Sequence, residues 1–206
     1  MVGYYNYTVW LTYLSLLVGG VGICFGLAGN PFVAVVCLGI SGIIDLFDGK
    51  VARLKKDRTE EEKSYGIQID SLTDLVCFGV LPVTIGYAVG MNTWWFMPLM
   101  ILYILSGMIR LAYFNVKEIH REEGMKKCFY GVPITTTAMV IPFIWLLECF
   151  LKENFYILYA CILGVFAILF LVKIRLPKPS VKVSIIYASL LFVLFFVLLG
   201  LELALC

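Results

Sequence analysis

Long apolar runs broken by short polar connections set the rhythm of this chain. Seven of them, Val9–Ala28, Pro31–Ala52, Gly66–Val89, Trp94–Val116, Val132–Leu151, Phe155–Ile174 and Val183–Leu203, are near the length of about 20 residues that a helix needs to cross a bilayer. Lipid offers no partner to a backbone N–H or C=O, so each run is expected as a helix. The pattern predicts an all-α fold: a polytopic integral membrane helical bundle with six core transmembrane helices and a seventh, accessory one at 183–203. A single membrane domain is expected over 1–206.

Composition agrees with the pattern. Hydrophobic residues make up 62% of the chain and charged residues 15%, against about 45–50% and about 25% in soluble domains. One small soluble core cannot hide that excess. The longest polar stretch, Leu54–Tyr65, is expected as a solvated loop, and Lys117–Tyr130 is a second. Lys178-Pro179-Ser180 marks a break before the last run. The seven cysteines show no metal-ligand spacing and are taken as small apolar residues.

Charge then gives orientation. Of the 16 basic residues, only Lys152 lies outside three groups, which follow the second, fourth and sixth runs. Lys and Arg are retained on the cytoplasmic side, so these loops, and the N-terminus, are expected inside. A secretory signal peptide is not expected, since no Lys or Arg precedes Lys50. A net charge of +2 gives no reason to expect a nucleic-acid partner. The basic loops are read first as topological signals and second as candidates to contact anionic lipid head groups, and membrane lipids are the expected surroundings of a localisation in the cell (cytoplasmic) membrane. Gly22/Gly26 and Gly86/Gly90 have the small-xxx-small spacing of close helix contacts. Packing within the chain and a homodimer seam both fit it.

Four aspartates sit where the membrane pattern disfavours them. Asp45 and Asp48 are three apart at the end of the second run, and Asp70 and Asp74 four apart near the start of the third. On helices each pair shares a face, one turn apart. An acid at the centre of a membrane helix costs about 2.5–3.5 kcal/mol, and converging carboxylates repel one another. Hard divalent cations relieve both problems, because Mg²⁺ and Mn²⁺ prefer carboxylate and water oxygens. Four carboxylates suit two cations about 3.5–4 Å apart, the arrangement used in phosphoryl chemistry. An acid cluster paired with Lys50, Arg53 or Arg110 is the plainer explanation. A small cation-coupled transporter is the alternative of a different class.

The residues around the acids suggest a nucleotide. Gly49 leaves room beside Asp48 for close approach. Arg53 is placed to fork around a phosphate, and Gly66 lies one turn before Asp70. The run Asp45-Leu-Phe-Asp48-Gly49-Lys-Val-Ala52-Arg53, then Gly66-Ile-Gln-Ile-Asp70-Ser-Leu-Thr-Asp74, resembles the signature of the CDP-alcohol phosphotransferase family, D-x-x-D-G-x-x-A-R followed by G-x-x-x-D-x-x-x-D. Every fixed position is present. Twelve residues separate Arg53 from Gly66 where the family usually has eight. The resemblance places the CDP-lipid motif in 31–89. It implies that Asp45, Asp48, Asp70 and Asp74 bind two divalent cations, Mg²⁺ or Mn²⁺, with Asp74 also the general base. It implies that Gly49, Ala52, Arg53 and Gly66 surround the nucleotide, that CDP-diacylglycerol is the donor, and that CMP leaves.

The acceptor is a separate question. Gly107-Met-Ile-Arg110-Leu-Ala-Tyr-Phe-Asn115, Gly131-Val-Pro133, Lys173-Ile-Arg175-Leu-Pro177 and Asp74-Leu-Val-Cys-Phe-Gly79-Val-Leu-Pro82 are similar to segments of the family's bacterial and archaeal phosphatidylserine-forming branch. That similarity implies L-serine, with glycerol 3-phosphate or an inositol phosphate as the alternative acceptor. Arg110 and Asn115 are candidates to meet a zwitterionic acceptor or the nucleotide phosphates, with Arg110 alternatively a topological anchor, and Lys173 and Arg175 to meet lipid phosphate or anchor the interface. Thr12 and Ser15, one turn apart in the first run, are candidates for a phosphate pocket or for bonds within their own helix. His120, the only histidine, lies in a polar loop and is taken as solvated.

Overall fold

The structure, a computed structural model, describes residues 3–52, 57, 59–119, 128–173 and 175–177, with isolated positions between 189 and 200. Helix α1 spans Tyr7–Leu27 and α2 Pro31–Ala52. A third, continuous rod is built of α3 (Glu60–Asp74), a π-helical segment (Leu75–Val80) and α4 (Leu81–Ala88). Helix α5 covers Met97–Ile119, α6 Thr137–Trp145, α7 Glu148–Leu151 and α8 Phe155–Leu171. Among the described residues, five stretches are long and apolar enough to cross a membrane, and Ile134–Trp145 is a shorter apolar helix. The molecule is a polytopic membrane helical bundle. The expected seventh span, Val183–Leu203, lies almost wholly outside the described residues.

Two boundaries differ from the sequence pattern, each for a local reason. The third rod starts at Glu60, six residues before Gly66. Thr59 caps it: its hydroxyl accepts from the Glu62 backbone N–H at 3.1 Å, and the Glu62 carboxylate accepts from the Thr59 N–H at 3.2 Å. Glu60, Glu61 and Glu62 fill the first turn, where the helix dipole favours acids. Half of the long spacer before Gly66 is therefore wound into helix. The run Val132–Leu151 is not one helix but a 3₁₀ turn at Ile134–Thr136, α6, and the short α7. Pro142 removes a backbone donor inside α6. The stretch Ile134–Trp145 rises about 18 Å at 1.5 Å per residue, short of a hydrocarbon core of about 30 Å.

Small residues let the first helices approach. A Cβ at Gly19 would lie 2.4 Å from Cys77 Sγ, one at Gly22 would lie 2.7 Å from Cys37 Cβ, and one at Gly26 would lie 2.9 Å from Thr84 Cγ2. These glycines pack within the chain, closing α1 onto α2 and the third rod. Ser15 and Ser41 lock the same seam, each hydroxyl donating to the other's backbone carbonyl at 3.4 and 3.2 Å.

Pro82 organises the opposite side. It has no N–H for the Phe78 carbonyl one turn earlier, and Tyr103 on α5 donates its hydroxyl there at 2.7 Å. Tyr159 on α8 donates to the Pro82 carbonyl at 2.9 Å. Both tyrosines are buried; the Tyr103 phenol replaces a backbone partner that lipid cannot supply, and the Tyr159 phenol ties α8 to the third rod. Among the described residues, the only strands form a two-stranded antiparallel ribbon, β1 (Cys128–Tyr130) with β2 (Arg175–Pro177), in which Phe129 pairs with Leu176. It ties the segment after α5 to the segment after α8.

Candidate active site

The site lies where the C-terminal ends of α2 and α3 meet α5. Asp45 and Asp48 project from the last turns of α2, whose carbonyl end repels negative charge. Asp70 and Asp74 occupy the last turns of α3 before the π-helical segment. That segment winds more widely than an α-helix; the Leu81 N–H bonds back to the Val76 carbonyl. Cys77 and Phe78 of this segment, and Leu81 after it, are buried in the core.

Asp45, Asp70 and Asp74 each offer a carboxylate oxygen, and these oxygens all lie within 4.8 Å of one another. An octahedral shell of Mg²⁺ at about 2.1 Å holds its oxygens about 3–4 Å apart. The cluster therefore fits a shared hard cation with little movement. Its donors are all carboxylate oxygens, the kind that Mg²⁺ and Mn²⁺ prefer. Asp48 is 8% exposed and accepts a hydrogen bond from the Thr12 hydroxyl of α1 at 3.3 Å. It also sits within hydrogen-bonding reach of Asp70, so the fourth acid adjoins the other three.

Helix α5 supplies the cationic wall. Arg110 is 6% exposed, and its Nε–H donates to the Val132 carbonyl. Its guanidinium carbon lies 5.6 Å from the centre of the Phe114 ring, and Asp74 acts on its charge through space. Asn115 forms a closed pair with Ser71 of α3: its amide donates to Ser71 Oγ at 2.8 Å, and the Ser71 hydroxyl donates to Asn115 Oδ1 at 3.1 Å.

The other sequence candidates divide. Gly49 and Ala52 lie on the α2 backbone, with side-chain surroundings outside the description; Arg53 lies wholly outside it. Gly66 is half-buried on α3, one turn before Asp70. Thr12 bonds to Asp48, whereas Ser15 is held in the α1–α2 seam with Ser41 and Cys77. Lys173 is exposed, its ammonium 5.4 Å from the Tyr113 ring centre, and Arg175 lies in β2 opposite Tyr130. His120 is outside the described residues. Sequence reasoning missed Ser71, although it stands inside the motif between Asp70 and Asp74. It also missed the N-terminal strap. There, Tyr4 donates to Glu61 at 2.7 Å, Asn6 to Glu62 at 2.9 Å, and Tyr13 and Tyr65 share a 3.0 Å bond.

Residues 5–203 match the CDP-alcohol phosphatidyltransferase family. The chain belongs to that family. Its relatives include a Helicobacter pylori protein, 32% identical over 192 residues, covering 87% of this chain and 78% of that protein. A Saccharomyces cerevisiae relative is 34% identical over 126 residues, 57% of this chain and 44% of that protein. One from Bacillus subtilis is 32% identical over 114 residues, 54% of this chain and 59% of that protein. All three bear the name CDP-diacylglycerol–serine O-phosphatidyltransferase. The chain thus spans less than half of the yeast protein and about three quarters of the H. pylori one. Membership makes it a transferase, and the acid cluster with its cationic wall falls within the matched residues.

Proposed function

We propose that the chain is a CDP-diacylglycerol–serine O-phosphatidyltransferase that works at the cytoplasmic face of the cell membrane. The observation that carries this is the meeting of Asp45, Asp70 and Asp74 within 4.8 Å at the end of a membrane span, in a chain of this family. Asp45, Asp48, Asp70 and Asp74 hold two divalent cations, Mg²⁺ or Mn²⁺. When bound, these neutralise the diphosphate and the negative charge that gathers on the departing CMP.

The chain's own residues do the rest. Thr12 fixes the Asp48 carboxylate from α1. Gly49, Ala52, Arg53 and Gly66 form the nucleotide's surroundings, and Arg53 forks around a phosphate. Arg110 meets the carboxylate of L-serine, with the Asn115–Ser71 pair beside it. Asp74 accepts the proton of the serine hydroxyl. The serine oxygen then bonds to the β-phosphorus, and the bond from that phosphorus to the CMP oxygen breaks. The products are phosphatidylserine and CMP, and the proton remains on Asp74 until it is lost to solvent. Lys173 and Arg175 stand where lipid phosphate reaches the interface.

The cytoplasmic orientation rests on the grouping of Lys and Arg after the second, fourth and sixth runs. A homodimer is a separate proposal, tested by cross-linking of the purified protein, because Gly22 and Gly26 are already used within the chain. The catalytic reading is tested by supplying purified protein with CDP-diacylglycerol, Mg²⁺ or Mn²⁺, and a panel of alcohols. Serine-dependent CMP release is expected. Release with glycerol 3-phosphate or an inositol phosphate but not serine would move the chain to a sister activity.

A further inference from the structure

The turn Gly131-Val132-Pro133 has no part in the chemistry above, yet it touches the one buried cation of the described site. Gly131 has φ +81°, a left-handed backbone that side-chain-bearing residues resist, and a Cβ there would lie 3.3 Å from the Val172 carbonyl oxygen. The turn follows β1 directly, and the ribbon of β1 with β2 holds it against the end of α8. On its far side, Ile134 is 1% exposed and sits on α5 at Gly107, where a Cβ would come within 2.7 Å of its Cδ1. Gly107 is one turn before Arg110. Two glycines thus bring the turn onto α5, and the left-handed residue leads into the carbonyl of Val132, which receives the Arg110 Nε–H.

We propose that the Gly131–Pro133 turn is a positioning element that fixes the Arg110 guanidinium through the Val132 carbonyl, leaving its terminal N–H groups turned to the acceptor's carboxylate. A guanidinium is planar and offers five donors in fixed directions. Holding Nε sets the plane and the rotation of the whole group. The end-on pair of nitrogens is then free for a bidentate contact with a planar carboxylate. Without the carbonyl, the buried cation rests on the Phe114 ring and the field of Asp74, and neither holds it in one rotation. Gly131 is accordingly a positioning residue for the acceptor and not for the CDP-lipid.

This rests on the reading of Arg110 as the acceptor's partner, and the two can be told apart by steady-state kinetics. Acceptor KM, CDP-diacylglycerol KM and kcat are measured for wild type, Gly131→Ala, Gly131→Asn, Arg110→Lys and the double variant Gly131→Ala/Arg110→Lys. Gly131→Ala is expected to raise the serine KM about tenfold with the CDP-diacylglycerol KM within about twofold, the signature of one misplaced charge-assisted contact. Asn tolerates positive φ better than Ala, so Gly131→Asn is expected to shift the serine KM in the same direction by less. It also carries the test if Gly131→Ala does not fold. Arg110→Lys is expected to raise the serine KM, and the double variant little further, because both changes break one unit.

Parallel rises in both KM values, an unchanged serine KM in both Gly131 variants, or full additivity in the double variant would overturn the proposal. If Arg110→Lys leaves the acceptor KM at the wild-type value, the reading of Arg110 fails first. If wild type uses another alcohol, the serine assignment fails, and the same comparison made with that alcohol still decides the role of the turn.

Discussion

Thr12 of α1 donates its hydroxyl to the Asp48 carboxylate of α2 across 3.3 Å, and both side chains are buried. This bond fastens the first helix to the acid cluster. A hydrogen bond to a charged group contributes about 1.5–3 kcal/mol. Thr12→Val keeps the shape and removes the donor. It is expected to cut kcat/KM by about tenfold to a hundredfold and to raise the Mg²⁺ or Mn²⁺ concentration for half-maximal rate. Metal titrations of CMP release check it, and an unchanged metal dependence would make the bond purely a packing contact.

Asp74 is the acid given two tasks, and substitution separates them. Asp74→Asn keeps an oxygen ligand and loses the base. Turnover is expected to fall by at least about 100-fold, with CDP-diacylglycerol binding affected much less. Rate and nucleotide-lipid affinity are measured on the same preparation. Equal loss of both would assign Asp74 to metal holding or structure alone.

The α1 seam makes a prediction about stability. Gly19→Ala places a methyl group 2.4 Å from Cys77 Sγ, whereas Gly20 has nothing within 4 Å. Overpacking of a fitted core costs about 1–3 kcal/mol. Thermal unfolding in detergent is expected to show clear destabilisation for Gly19→Ala and wild-type behaviour for Gly20→Ala. Equal behaviour of the two would mean that the seam is loosely packed.

The N-terminal strap is expected to respond to alkali. Glu61 accepts the Tyr4 hydroxyl proton, and this bond, more than any other influence, pushes the phenol above its usual value of 10.0. A folded-state pKa raised above the unfolded one means that the contact contributes fully below the unfolded value. The contribution is lost as pH rises through the higher folded value. Hydrogen exchange at Glu60–Tyr65 is expected to accelerate above pH 10 more in the wild type than in Tyr4→Phe, after correction for intrinsic rates. Identical pH profiles would show that Tyr4 does not hold the cap of α3.

Much of the site was legible because helical spacing is local. Asp45 with Asp48, and Asp70 with Asp74, are placed on shared faces by 3.6-residue periodicity alone. The apolar runs give the spans for the same reason. What was not legible depends on contacts distant in sequence. The π-helical segment after Asp74 pairs with a tyrosine on α5 that answers for Pro82. The ribbon joins residues near 129 to residues near 176, and three-residue strands have no periodicity to reveal them. The Val132–Leu151 run carries a single charge, Glu148, and is apolar on both sides of residue 146, so hydropathy did not show the interruption near Leu146. Ser71 was hidden in the motif because its partner, Asn115, lies on another helix.

The central claim is that the aspartate cluster transfers a phosphatidyl group to serine with the help of a hard divalent cation. The most direct measurement is CMP release by the purified protein from CDP-diacylglycerol and L-serine, with Mg²⁺ or Mn²⁺ and again after chelation. Serine-dependent release that stops on chelation and returns with either cation is the predicted result. Release undiminished by chelation, or none with serine or any other alcohol, would contradict it.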